Sequence, residues 1–483
     1  MASKSTASKS TLTAESLEAL GAGRLAELLM EIAASDAATK RRLRLELTAL
    51  TSPRAVATEV GKRLSQIARA SSLVDPRKVR ELIADLETQR RMIVDRVATI
   101  DAGEALDLMW RFIDLADAVL DRCDDSSGVL IELFRNACGD LGRLAQAANP
   151  DPVALADRTF TALNDNDYGQ YDRLIDAIGP ALGPNGLDHL KKLLIELSKS
   201  SAARLPTEQR VVVGWGSGGP IYHDELEAYR REGMIRCSLQ QIADVQGDVD
   251  SFIAQYDQKA RKVPGIAAEI AHRLLAAKRA EDALRILDAA EHGRGGFVTF
   301  DWEDARIEAL EALGRDDQAQ AARWSCFERF LSADHLRAYL KRLPDFDDVE
   351  AERRALDFVE NSEHLLAALE FLVAWPALER AARLVIRRAK DLDGNCYEVL
   401  SPAADALAGK YPLAATLALR AMIDFTLTAG RSSRYRHAAR HLMECDSLKG
   451  AVEQFGAFDS HATYAARLKV EHGRKIGFWS LVS

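Results

Sequence analysis

Three side chains late in the chain have the spacing that a metal site needs: His437, His441 and Cys445. Residues four apart on a helix share a face, and two imidazoles with a thiolate suit zinc. A fourth ligand would come from His461, His472 or Cys396. Against zinc stand Arg434, Arg436 and Arg440, which crowd the same stretch and repel a dication. The competing expectation is a half-exposed helix face with incidental histidines and no metal.

Other candidate chemistries lack a necessary part. Trp215-Gly216-Ser217-Gly218-Gly219 has the glycines of a phosphate loop, but Pro220-Ile221 follows where Gly-Lys-Ser/Thr should open a helix. The expectation there is a mobile connector. Asp121, Asp124 and Asp125 form an acidic turn without the twelve-residue loop and distal glutamate of a calcium site, so Asp125 or Ser126 is read as a helix cap. Asp316-Asp317 and Asp347-Asp348 fall at helix starts, where negative charge answers the helix dipole. There is no Gly-x-Ser-x-Gly elbow and no nucleophilic cysteine motif beside a base. No catalytic residue and no cofactor is therefore expected.

Basic runs at Lys40-Arg41-Arg42-Leu43-Arg44, Arg387-Arg388 and His472-Gly473-Arg474-Lys475 could meet phosphates. Nucleic-acid binders concentrate base and stacking aromatics, whereas this chain carries a net charge of −9 and only 6% aromatics. Solvated helix faces are the expectation.

The elements that would position these groups read as helices throughout. Apolar residues recur at spacings of three and four, as in Leu25, Leu28, Leu29 and Ile32, or Leu106, Met109, Ile113, Ala116 and Leu120. Ile131, Phe134, Cys138, Leu141 and Ala145 continue the pattern. Helix starts are marked by Ser52-Pro53, Asp75-Pro76, Asp151-Pro152 and Ser401-Pro402, each a capping oxygen before a proline whose missing N–H would have no partner. Strands could form only at Val211–Val213 and Phe297–Phe300. No run of about 18 apolar residues is present to span a bilayer. Six scattered cysteines without a CxxC fit a reducing, cytoplasmic setting.

The fold expected is all-α: an antiparallel helical array followed by tetratricopeptide-like helix hairpins in an α-solenoid. A flexible arm is placed at 1–11, where Ala-Ser-Lys-Ser-Thr is duplicated, then a helical domain at 12–200 and a connector at 201–237. Hairpin repeats follow at 238–343 and a C-terminal helical domain at 344–483. Two breaks, Lys278-Arg279 and Gly314-Arg315, lie 36 positions apart and define the repeat. Each hairpin has an apolar face that only a stacked neighbour can bury.

The helix pairs around 283–330 resemble tetratricopeptide repeats. Leu17–Leu20, Leu25–Leu29, Lys40–Leu45, Leu369–Pro376, Pro412–Ile423 and Tyr464–Trp479 resemble an uncharacterised bacterial family of all-helical proteins. Similar opening and closing helices accompany SWIM zinc fingers, but the Cys-x-Cys of that finger is absent here. The resemblance implies no activity. The leading expectation is a non-enzymatic scaffold or adaptor that binds another protein along stacked hairpins. A nucleic-acid-associated accessory protein, and an enzyme whose site is assembled from distant helices, are the alternatives.

Overall fold

The computed structural model describes residues 12–35, 37–51, 53–200, 210–216, 218–291 and 300–482. Two compact units, Met1–Gln258 and Lys259–Ser483, make up the chain. The expected arm at 1–11, the Ser52 cap and most of the 297–300 strand lie outside the described residues.

The first unit opens with α1 (Ala14–Glu18), α2 (Ala22–Ser35), α3 (Ala37–Thr51), α4 (Pro53–Arg69) and α5 (Val79–Met92). It continues through α6 (Ala102–Ile113), α7 (Ala116–Leu120), α8 (Val129–Ala148), α9 (Pro152–Asn164) and α10 (Leu174–Lys199). Strands β1 (Val212–Gly216) and β2 (Gly219–Tyr222) then precede α11 (His223–Gln246) and α12 (Val249–Ala254). The start signals act as their chemistry requires. Asp151 accepts from the Ala154 N–H at 2.8 Å with Pro152 opening α9, and Asp75 accepts from Arg77 at 2.9 Å. Asp125 receives the N–H groups of Leu130 and Ile131 on its two oxygens, at 3.0 and 2.9 Å, capping α8.

Phe112, Phe134, Met109, Leu141 and Ile178 are wholly buried in one continuous core. The face expected of α2 behaves differently: Leu29 and Ile32 stay 43% and 55% exposed. Two buried carboxylates are held by arginines. Asp85 accepts from Arg63 Nε at 2.9 Å and from Gln89 at 3.1 Å, and Asp140 from Arg90 Nε at 2.6 Å.

The connector expected at 201–237 is not what the described residues there form. Val212–Gly216 pairs antiparallel with Gly219–Tyr222, and α11 begins at His223. Ile235, Ser238, Ile242 and Ala243 of α11 are buried, which draws this helix into the first unit beside α10. The boundary accordingly falls after Gln258 rather than within 201–237.

The second unit comprises α13 (Pro264–Ala276), α14 (Ala280–Asp288), α15 (Phe300–Ala312), α16 (Asp316–Phe330), α17 (Ala333–Leu340) and α18 (Asp347–Glu360). After these come α19 (Leu365–Ala374), α20 (Leu378–Arg387), α21 (Tyr397–Ala408), α22 (Pro412–Thr428), α23 (Tyr435–Leu448), α24 (His461–His472) and α25 (Ile476–Trp479). From α13 to α23 each helix packs on the next, and α13, α18, α19 and α20 also on the one after, the stacking of helix hairpins in an α-solenoid. One core runs from Phe327 to Phe478, so no boundary falls at 343/344.

One turn recurs between paired helices. The Arg279 N–H donates to Leu274 O at 2.8 Å, Arg315 to Leu310 at 2.9 Å, Ala377 to Leu372 at 2.9 Å and Arg431 to Thr426 at 3.1 Å. Lys278, Gly314 and Gly430 sit just before with φ of 60°, 66° and 63°. This six-to-one bond with a left-handed residue is the Schellman ending, and it satisfies carbonyls that the helix leaves open. The pairing of 278 with 314 is thus a structural repeat. Ser401-Pro402 departs from expectation: α21 begins earlier, at Tyr397, and carries Pro402 inside. Burial of Leu400, Ala403, Ala404 and Leu407 holds the helix, and the proline forfeits one bond near its first turn.

Candidate functional site

A groove in the second unit is built by α16, α17, α18 and the loop between the last two. It encloses about 1120 Å³, with Trp324, Tyr339, Arg342, Pro344, Arg354 and Phe358 in its wall. The Trp324 and Tyr339 rings lie 5.1 Å apart, and the Arg354 guanidinium stands 4.2 Å over the indole. The indole N–H donates to Glu328 at 2.6 Å.

Behind this platform Arg323, only 3% exposed, donates to Glu311 and to Gln320 (3.0 Å), while Arg342 meets Glu311 at 2.8 Å. The Gln320 amide donates to the Tyr339 carbonyl at 3.1 Å and so ties α16 to α17. Two residues past Pro344, Phe346 is 86% exposed with φ of 76°, a conformation that bulky side chains seldom adopt. Sequence reasoning missed this groove. Its residues are spread from Glu311 to Phe358, and only the unusual density of Trp, Tyr, Phe and Arg in that stretch signals it.

The zinc candidates share the side of α23 that their spacing dictates, but at different depths. His437 is exposed, His441 is 5% exposed and Cys445 is fully buried. The Cys445 thiol donates to the Thr416 carbonyl at 3.9 Å, and burial pushes it up to about 12. It is a packed, protonated thiol at neutral pH, whereas a zinc ligand is a thiolate.

Burial also pushes His441 down to about 4, with Arg440 and His437 adding to the effect and Asp405 opposing it. Two of the three suggested fourth ligands are engaged elsewhere. His461 meets Asp446 at 3.3 Å and the Cys396 thiol donates to Asp393 at 3.6 Å, while His472 lies at the end of another helix, α24. Among the described residues no three His, Cys, Asp or Glu side chains are placed to hold a metal ion. The structure brings His437 and His441 together in the wall of a cavity and leaves Cys445 behind them.

Several of the remaining candidates have structural partners. Tyr168 donates to Asp121, and Asp124 accepts from the Ser126 N–H at 3.1 Å. Arg387 donates to the Glu360 carbonyl, and Arg388 to those of Ser362 and Glu363 at 3.1 and 3.3 Å, so this basic pair closes the end of α18. Arg41 reaches Asp85 at 3.5 Å, while Lys40, Arg42 and Arg44 are exposed. Asp316-Asp317 and Asp347-Asp348 occupy the first turns of α16 and α18, as expected.

All six cysteines are free, and among the described residues no helix is long and apolar enough to cross a membrane.

No curated protein matches the sequence. One solved structure, a "Circular tandem repeat protein with novel repeat topology and enhanced subunit contact surfaces", is similar at 13% identity over 91% of each chain. Its TM-score of 0.14 is too low to equate the two folds. A model of a family of unknown function, DUF6880, matches residues 7–481. That match spans nearly the whole sequence, and the chain belongs to this family.

Proposed function

We propose that this protein is a non-enzymatic helical-repeat scaffold or adaptor of the bacterial cytoplasm that holds a segment of another protein in the groove beside α16 and α18. The observation that carries the reading is the Trp324–Tyr339–Arg354 platform, solvent-facing yet fixed from behind by Arg323, Glu311 and Gln320. Tryptophan, tyrosine and arginine supply most of the binding energy where proteins meet, because each offers a large contact area with a polar handle. An anchor already held in position loses less entropy when a partner arrives. Stacked hairpins leave such grooves between their helices, and a peptide or helix fits them.

The test is a random peptide library displayed on phage and panned against the full chain. Wild type should enrich related sequences, and Trp324→Ala and Arg354→Glu should each weaken the enriched peptides by at least about 2 kcal/mol, the loss typical of an interface anchor. No enrichment, or enrichment that both variants preserve, would sink the reading.

A further inference from the structure

A second cavity, in the same unit but remote in sequence from the groove residues, is formed by α21, α22 and the start of α23. It encloses about 350 Å³, at the lower end of the range for small-molecule sites. Its wall includes Tyr397, Thr426, Arg434, His437, Arg440 and His441, and no carboxylate is among the described residues that line it. His441 is 95% buried, being 5% exposed, and its imidazole makes no hydrogen bond among the described residues. A buried polar atom left unpaired is costly, so a native structure normally supplies it with a partner.

Charge points the same way. Arg434 donates to the neutral Asn395 amide oxygen at 3.0 Å and stacks 5.0 Å from the Tyr397 ring centre, so its charge meets no carboxylate among the described residues. Arg440 is neutralised only through a half-exposed contact with Glu444 at 3.3 Å. The cavity is rigidly walled. At Gly394, which lines it, a Cβ would lie 1.9 Å from the Ala421 carbonyl oxygen, so only glycine lets that loop close on α22.

We propose that this cavity binds a small organic anion, whose carboxylate or phosphate oxygens meet Arg434 and Arg440 at the outer wall and the His441 imidazole within. Arginine suits such oxygens because its planar donors match them in pairs. His441 is held neutral by its burial and by the neighbouring Arg440 and His437, so it joins as an N–H donor of the tautomer that the ligand selects. The proposal is independent of the peptide groove, since it shares no lining residue with it.

The full chain is titrated with benzoate, phenyl phosphate, inorganic phosphate and the neutral benzyl alcohol, followed by calorimetry and by the NMR signals of the histidine side chains. Saturable binding of benzoate or phenyl phosphate is expected, with the His441 resonances moving. Arg434→Gln should weaken it about tenfold or more, the loss of one charge-assisted contact. His441→Leu should weaken binding similarly, whereas His441→Gln, whose amide reaches the former Nε2 position, should restore most of it. Binding by phenyl phosphate alone would assign the phosphate class, and by both probes the shared anionic chemistry. Failure of both probes, equal binding of benzyl alcohol or inorganic phosphate, or affinity unchanged in Arg434→Gln would overturn the proposal. Arg434→Gln shortens a half-buried side chain outside the core, so it decides the question even if His441→Leu fails to fold.

Discussion

His441 takes its charge state from the helices around it. With its imidazole pushed down to about 4 from 6.5, the folded protein resists a proton that the unfolded chain accepts. As pH falls through 6.5 the unfolded state binds that proton first, so folding stability drops between pH 6.5 and 4 and levels off below. The full effect is at most about 3 kcal/mol. Denaturant unfolding across that window should show wild type losing stability more steeply than His441→Gln; parallel profiles would disprove the assignment. The spacing of His437, His441 and Cys445 made their common face legible in the sequence. Their depth was not, because it depends on where α21 and α22 pack, and depth is what separates a cavity wall from a metal site. The Trp324 platform was hidden for the same reason: its contacts join residues from three helices and a loop.

Helices themselves were the most legible level. Caps such as Asp151-Pro152 and Asp125 act locally, so sequence suffices to place them. Pro402 was misread as a start because burial along α21 outweighed one lost hydrogen bond. The strands at Val212–Tyr222 were half visible in three valines, but their pairing needed the partner. The recurrent Schellman turn is visible at Gly314 and concealed at Lys278, where a lysine occupies the left-handed position. Both residues face open space: Lys278 is exposed, and a Cβ at Gly314 would touch nothing within 4 Å. Only the backbone is then at stake. Lys278→Gly should raise stability by about 1 kcal/mol and Gly314→Ala should lower it by about as much. Thermal melts that move both variants in the same direction would contradict this account of the repeat.

Two separate cores stand behind the two units, one spanning Leu45 to Ile242 and the other Phe327 to Phe478. The all-α class was legible from periodicity over the whole chain, but the boundary was not. The glycine-rich sequence at 214–219 marks a hairpin, and the division after Gln258 carries no compositional break. With separate cores, unfolding should show more than one calorimetric transition. Phe134→Ala should lower one by about 3 to 5 kcal/mol and Ile423→Ala the other by about 2 to 5, each leaving the second in place. A single transition displaced by both variants would show one cooperative structure instead. Within each unit, the packing of most helices on those shortly before them in the chain also bears on biosynthesis. A nascent polypeptide leaving the ribosome need not wait for distant segments, since every newly extruded hairpin finds its burial surface already made, and loop closure costs little at such short separations.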